Sequence, residues 1–209
     1  MTLIKICGVT NLEDALTAVE AGADALGFNF YRRSARFIEP ENARRIVSEL
    51  PENILSVGVF VNEERPEDVE RIAIETGIKA VQLHGDESPD YCRKLKTFFV
   101  IKALRVTEDF APECVSEYDV DAILLDAFDK SARGGTGKRF DWAVAERVRK
   151  VARKLFLAGG LSPETVAEAI EQVEPYGVDA CSSLEISAGR KDNERVRAFI
   201  TAARSSLRE

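Results

Sequence analysis

Leu3-Ile4-Lys5-Ile6-Cys7-Gly8 is a short apolar run closed by a turn glycine, and it reads as a buried β-strand. Side chains alternate along a strand, so Ile4 and Ile6 share one face while Lys5 and Cys7 share the other. The aliphatic face is suited to packing on helices. The other face sets an ammonium beside a thiol where the strand ends. A nearby cation favours the thiolate, the reactive form of cysteine. An isolated cysteine is more often an ordinary core thiol, so the rest of the chain has to separate the two readings.

Outward from this run, β-like and helical stretches alternate to the end of the chain. Strands are expected over Leu3–Cys7, Ala25–Phe30, Leu55–Val61, Ala80–Leu83, Val100–Leu104, Ala122–Asp126, Leu155–Ala158 and Val178–Cys181. Helices are expected over Asn11–Ala21, Pro40–Leu50, Pro66–Thr76, Ser88–Leu95, Phe140–Val151, Ser162–Val173 and Asn193–Ser205, with a weaker one over Glu108–Ser116. Cap chemistry marks several starts: Asn11 three residues before Asp14, Ser88 before Pro89, and Ser162 before Pro163. Alternating βα units imply a parallel sheet. Eight even units predict a single-domain (β/α)8 TIM barrel over residues 1–209 rather than an open doubly wound sheet, since no dinucleotide fingerprint follows the first strand.

Composition bounds the function. The net charge of -7 argues against broad nucleic-acid or membrane-surface binding, yet leaves room for a small anionic ligand held by local donors. No apolar run approaches the roughly 20 residues of a membrane span, and the N-terminus shows no signal-peptide pattern. The cysteines Cys7, Cys92, Cys114 and Cys181 form no C-x-x-C pair, and His84 is the single histidine, so neither a zinc site nor any other metal is expected. Reduced thiols in a cytoplasmic protein fit best.

A barrel places its active site at the C-terminal ends of the strands. The polar residues there are Cys7 on strand one, Gln82 and His84 sharing a face on strand four, Asp126 on strand six, and Asp179 on strand eight followed by Cys181-Ser182-Ser183. A thiol and a carboxyl across a barrel mouth can serve one substrate as base and acid. Asp126 alone reads equally well as a cap or loop carboxylate. Ala158-Gly159-Gly160-Leu161-Ser162 joins strand seven to a helix, and its glycines let the backbone approach a ligand. With Ser182 and Ser183, which can open a short extra helix, this segment is the expected phosphate site. Arg32, Arg33 and Arg36 follow strand two and can grip a carboxylate or phosphate; each alone also reads as a solvated charge. Gly134-Gly135-Thr136-Gly137-Lys138 is not a P-loop, because that pattern needs glycine at 132 and Ser or Thr at 139, where Ala132 and Arg139 stand. A mobile loop folding over a ligand is the better account.

Taken together, Lys5-Ile6-Cys7-Gly8, Gly27-Phe28, Ser34-x-Arg36, Val57-Gly58-Val59-Phe60, Gln82-Leu83-His84-Gly85, Leu124-Leu125-Asp126, Gly134-Gly135-Thr136-Gly137, Phe140-Asp141-Trp142 and Ala158-Gly159-Gly160-Leu161 resemble, in order and over nearly the whole chain, the phosphoribosylanthranilate isomerase family. The resemblance implies a (β/α)8 barrel that converts N-(5-phosphoribosyl)anthranilate into 1-(2-carboxyphenylamino)-1-deoxyribulose 5-phosphate by an Amadori rearrangement in tryptophan biosynthesis, without cofactor. It implies Cys7 as general base, Asp126 as general acid, Arg36 as the grip on the anthranilate carboxylate, and Gly159, Gly160, Ser182 and Ser183 as the phosphate-binding residues. Gln82, His84 and Asp179 are expected to touch substrate. The expected partner is the small-molecule phosphosugar, with no nucleic acid or membrane, and the chain is expected as monomer or homodimer. One departure stands out: the family pattern Asp-Val-Ser-Ser-Gly-Val-Glu is here Asp179-Ala180-Cys181-Ser182-Ser183-Leu184-Glu185, so Ser183 replaces a glycine and Cys181 a serine. Two other readings remain open. The related isomerase of histidine biosynthesis resembles a pattern with aspartate at the end of strand one, which Cys7 opposes; the other is a non-catalytic phosphosugar-binding barrel.

Overall fold

Eight parallel strands close on themselves in chain order: β1 (Leu3–Ile6), β2 (Ala25–Asn29), β3 (Leu55–Phe60), β4 (Ala80–Leu83), β5 (Phe99–Arg105), β6 (Ala122–Asp126), β7 (Leu155–Ala158) and β8 (Gly177–Ala180). This is a computed structural model, and it describes residues 2–107, 109–126 and 142–206. The helices are α1 (Leu12–Ala21), α2 (Pro40–Ser48), α3 (Pro66–Thr76), α4 (Pro89–Arg93), α5 (Trp142–Arg149), α6 (Val166–Val173) and α7 (Asn193–Ser205). The ring closes between β1 and β8, with Lys5 opposite Asp179 and Ile6 opposite Ala180.

Side-chain alternation divides the apolar residues into two sets. Ala25, Val57, Ala80, Ile101, Leu124 and Phe156 pack inside the barrel. Ile4, Ile6, Leu26, Val81 and Leu125 point outward into the layer shared with the helices, where Val196 and Phe199 of α7 also lie. Burying a large aliphatic or aromatic side chain contributes about 1.5–3 kcal/mol, so the outer layer holds most of the apolar driving force. The helices start where cap chemistry places them. Asn11 Oδ1 accepts the Asp14 N–H at 2.9 Å, and Ser88 Oγ accepts that of Tyr91 at 3.2 Å. Pro40, Pro66 and Pro89 occupy first helical positions, where a missing N–H costs nothing.

Two sequence expectations shift, and others fall outside the described residues. Ser162 does not cap α6: the carbonyl of Ser162 instead accepts the N–H groups of Thr165 and Val166 in a turn, and the helix begins at Val166. The weak helix near residue 110 is a 3-10 turn over Pro112–Glu117, and Glu108 lies outside the described residues. The loop Gly134-Gly135-Thr136-Gly137-Lys138 and the start of the helix at Phe140 also lie outside them. Past β8, Ser182–Leu184 forms the expected short 3-10 helix. An antiparallel hairpin of β9 (Glu185–Ser187) and β10 (Arg190–Lys191) follows it, which the sequence reading did not anticipate.

Candidate active site

The C-terminal ends of β1 and β8 meet at one point of the rim. Cys7 follows β1 directly and its N–H bonds to Ala180 O at 2.9 Å. One turn of the pleat below, Lys5 Nζ donates to Asp179 Oδ1 at 3.0 Å, and both side chains are buried. Gly27 on β2 leaves the room for this pair: a Cβ there would lie 2.7 Å from Cys7 Sγ and 3.1 Å from Lys5 Nζ.

These neighbours set the protonation states. A hydrogen bond from the Cys181 thiol, with the charges of Lys5 and Lys191, outweighs burial and holds the Cys7 thiol well below the usual 9.0. The same contact, together with burial, pushes Cys181 up, so Cys181 keeps its proton and donates it. Burial pushes the Asp179 carboxyl up to about 7, against the pull of Lys5. For Lys5, burial works the other way, but Asp179 and the Cys7 sulfur overcome it and raise the ammonium above its ordinary value. The ammonium is therefore a fixed positive charge beside the sulfur.

Three strands round the ring, Asp126 ends β6. Its Oδ2 lies 3.2 Å from His84 Nε2, and Gln82 Nε2 lies 2.8 Å from His84 Nδ1. The amide N–H donates, so Nδ1 is the acceptor and Nε2 carries the ring proton toward Asp126; this tautomer is assigned from the hydrogen-bond network. The shared face of Gln82 and His84 thus leads to the carboxyl of Asp126. Asp179 is likewise engaged below the surface, with Lys5.

Of the three arginines after β2, one faces the site. Arg32 and Arg33 are exposed. Arg36 is partly buried and forks onto Glu185, with Nε 3.1 Å from both carboxylate oxygens and Nη2 2.6 Å from Oε2. Its Nη1 has no partner among the described residues.

At the β7 and β8 ends, Gly159 and Gly160 adopt φ of 86° and 76°, a left-handed conformation that favours glycine. A Cβ on Gly160 would meet nothing within 4 Å, so the backbone faces open space there. The Ser183 hydroxyl donates to Leu161 O and ties this loop to the Ser182–Leu184 turn. Ser183 is not in the left-handed region; among described non-glycine residues only Asn62 and Glu174 are. Replacing a glycine at position 183 therefore strains nothing and adds a bond.

Sequence reasoning passed over Glu185 and Lys191. Glu185 accepts from Arg36 and from Lys191 Nζ at 3.1 Å, and Lys191 is buried. The available signal was a single turn mark, Gly189, between two short polar runs; Gly189 has φ of 82°. Among the described residues there is no group of three or more His, Cys, Asp or Glu side chains placed to hold a metal ion. No described helix is long and apolar enough to cross a membrane.

Comparison with known proteins adds the chemistry. The family model of N-(5'phosphoribosyl)anthranilate (PRA) isomerase matches residues 4–202. The N-(5'-phosphoribosyl)anthranilate isomerase of Trichlorobacter lovleyi is 50% identical over 207 residues, covering 99% of this chain and 100% of that one. A solved phosphoribosyl anthranilate isomerase in complex with reduced 1-(o-carboxyphenylamino)-1-deoxyribulose 5-phosphate superposes with a TM-score of 0.87 at 44% identity, covering 98% of this chain and 100% of that one. Monomers derived from the dimeric enzyme of Thermotoga maritima give the same TM-score, identity and coverage.

Proposed function

We propose, from the premise that the chain belongs to the N-(5'-phosphoribosyl)anthranilate isomerase family, that Cys7 and Asp126 carry its reaction as base and acid. The activity of the chain is the conversion of N-(5'-phosphoribosyl)anthranilate into 1-(2-carboxyphenylamino)-1-deoxyribulose 5-phosphate in tryptophan biosynthesis. Asp126, as the carboxylic acid, gives its proton to the furanose ring oxygen. The C1′–O bond breaks and the anthranilate nitrogen lone pair forms a C=N bond. The Cys7 thiolate then takes the C2′ proton; that electron pair forms C1′=C2′ and the C=N pair returns to nitrogen. The resulting enolamine tautomerises to the ketone.

The observation that carries this reading is the Cys7 environment, where Cys181, Lys5 and Lys191 together favour the thiolate of a buried side chain. A base must lack its proton where the acid holds one, so opposite environments are the signature to look for. His84, oriented by Gln82, holds Oδ2 of Asp126 and so fixes the orientation of the carboxyl at the rim. Arg36 offers Nη1 to the anthranilate carboxylate while Glu185 fixes the guanidinium plane. Gly159, Gly160, Ser182 and Ser183 take the phosphate. Asp179 serves through Lys5. All these groups come from one chain, so monomer and homodimer serve the chemistry equally, and no cofactor enters.

Asp126→Asn tests the acid. Asparagine keeps size and hydrogen-bonding capacity but cannot deliver an acidic proton. Turnover is expected to fall by about 10²-fold or more while binding of a product analogue and the melting temperature persist. A folded variant that binds the analogue and turns over within a few-fold of the parent removes Asp126 from the mechanism.

A further inference from the structure

Lys191 enters the reaction as written only through its charge, but its contacts reach further. It sits on β10, yet its side chain is 1% exposed and reaches back to the barrel seam. Its Nζ lies 2.5 Å from Cys7 O, 3.3 Å from Cys181 O, 3.1 Å from Glu185 Oε1 and 3.9 Å from Cys181 Sγ. Its backbone N–H is held by Asp14 Oδ2 at 2.9 Å, which fixes β10 against α1. The ammonium thus bridges the residues just past the two strands that close the barrel, Cys7 and Cys181, with Glu185 of β9 as a further partner. The hairpin is itself pinned, because Thr10 Oγ1 donates to Gly189 O at 2.5 Å.

We propose that Lys191 is a positioning residue for Cys7: it clamps the ends of β1 and β8 together at the rim and sets a second buried positive charge, after Lys5, beside the Cys7 sulfur. The inference rests on Cys7 being the base. The groups facing Cys7 are Lys5 from β1, Asp179 and Cys181 from β8 and its end, Arg36 from the loop after β2, and Lys191 from the hairpin. Each of the three lysine and arginine charges has a carboxylate partner: Asp179 for Lys5, and Glu185 for both Arg36 and Lys191. Glu185 is shared between Arg36 and Lys191, so its charge is divided, and Lys191 keeps a net pull on the sulfur. The S–H of Cys181 has two acceptors within reach, the Cys7 sulfur and Glu185 Oε1 at 3.7 Å. By engaging Glu185, Lys191 also leaves that S–H to Cys7.

The test follows Cys7 itself. Iodoacetamide labelling of the whole protein, resolved by peptide mass spectrometry so that Cys7 is read apart from the other three cysteines, gives the pH midpoint of its thiolate. The pH profile of kcat/KM is recorded beside it for the parent, Lys191→Met, Lys191→Arg and Glu185→Gln. Lys191→Met is expected to raise the labelling midpoint by about one pH unit, and the acid limb of kcat/KM with it, which is about a tenfold loss on the low-pH side. Lys191→Arg, which keeps the charge, is expected to restore most of the shift. Glu185→Gln, which frees Lys191 from its carboxylate, is expected to lower the midpoint. A Cys7 midpoint unchanged in Lys191→Met overturns the proposal. If that variant does not fold, a midpoint in Glu185→Gln at or above the parent's overturns it. A labelling midpoint that rises in Lys191→Met while the kcat/KM limb stays in place upholds the Lys191–Cys7 contact and refutes Cys7 as the base, so the two failures are told apart.

Discussion

A thiol can act as a base near neutral pH only where its charged form is held, and Cys7 has three such supports in Cys181, Lys5 and Lys191. The sign of the pH dependence follows. The base form is the deprotonated one, so kcat/KM rises as pH climbs through the Cys7 value and levels off well before the 9.0 of an ordinary thiol. A pH profile whose acid limb sits at the ordinary thiol value contradicts the electrostatic account. Arg36 makes a different demand. Its fork is spent on Glu185, and in the proposed role Nη1 is left for a carboxylate whose charge is the same in ground and transition states. Such a contact is uniform binding. Arg36→Ala is therefore expected to raise KM by tenfold or more, about the 1.5–3 kcal/mol of a charged hydrogen bond, with a smaller change in kcat. Steady-state kinetics read both terms, and an unchanged KM returns Arg36 to a structural partner of Glu185.

Elements place these groups through parity and through what is missing from them. The face that carries Lys5 and Cys7 was legible because alternation along the run Leu3–Cys7 leaves no other arrangement. The room they occupy was not legible, because it depends on a neighbouring strand. Gly27 on β2 lies where any side chain would strike Cys7 Sγ. Gly27→Ala is expected to leave the barrel folded but to displace the sulfur, and a misplacement near 1 Å is worth about 10²-fold in turnover. Turnover at the parental level with unchanged stability argues that the sulfur does not need its present position. The hairpin β9–β10 escaped the sequence reading because its strands are short and polar, so neither a 2.0 nor a 3.6 period shows. Its buried lysine carries no local mark of burial either. Ser162 misled for a related reason: Ser-Pro opens a turn as readily as a helix, and here the Ser162 carbonyl closes a turn before α6 begins.

At the scale of the whole molecule, closure of the ring does what no local pattern encodes. It sets residues 174 positions apart, Lys5 and Asp179, into one buried ion pair across the seam. Strand number and order were readable from eight alternating units, but this register is fixed only when the sheet closes. Removing one partner of a buried pair leaves the other uncompensated, at about 3–5 kcal/mol. Lys5→Met is expected to lower stability by that order and also to raise the acid limb of kcat/KM, since Cys7 loses a cation. A denaturant melt and a pH profile read the two effects separately; a variant that keeps both parental values places the pair outside the mechanism. The same closure brings Cys7, just past β1, and Asp126 of β6 to one rim, where in the proposed mechanism a single phosphosugar spans them. The most direct measurement of that claim is the turnover of Cys7→Ala at saturating phosphoribosylanthranilate, followed by loss of substrate fluorescence, with product-analogue binding as control. Loss of the base is expected to lower turnover by at least about 10²-fold while the analogue binds within a few-fold of the parent; a folded Cys7→Ala enzyme turning over at the parental rate contradicts the account.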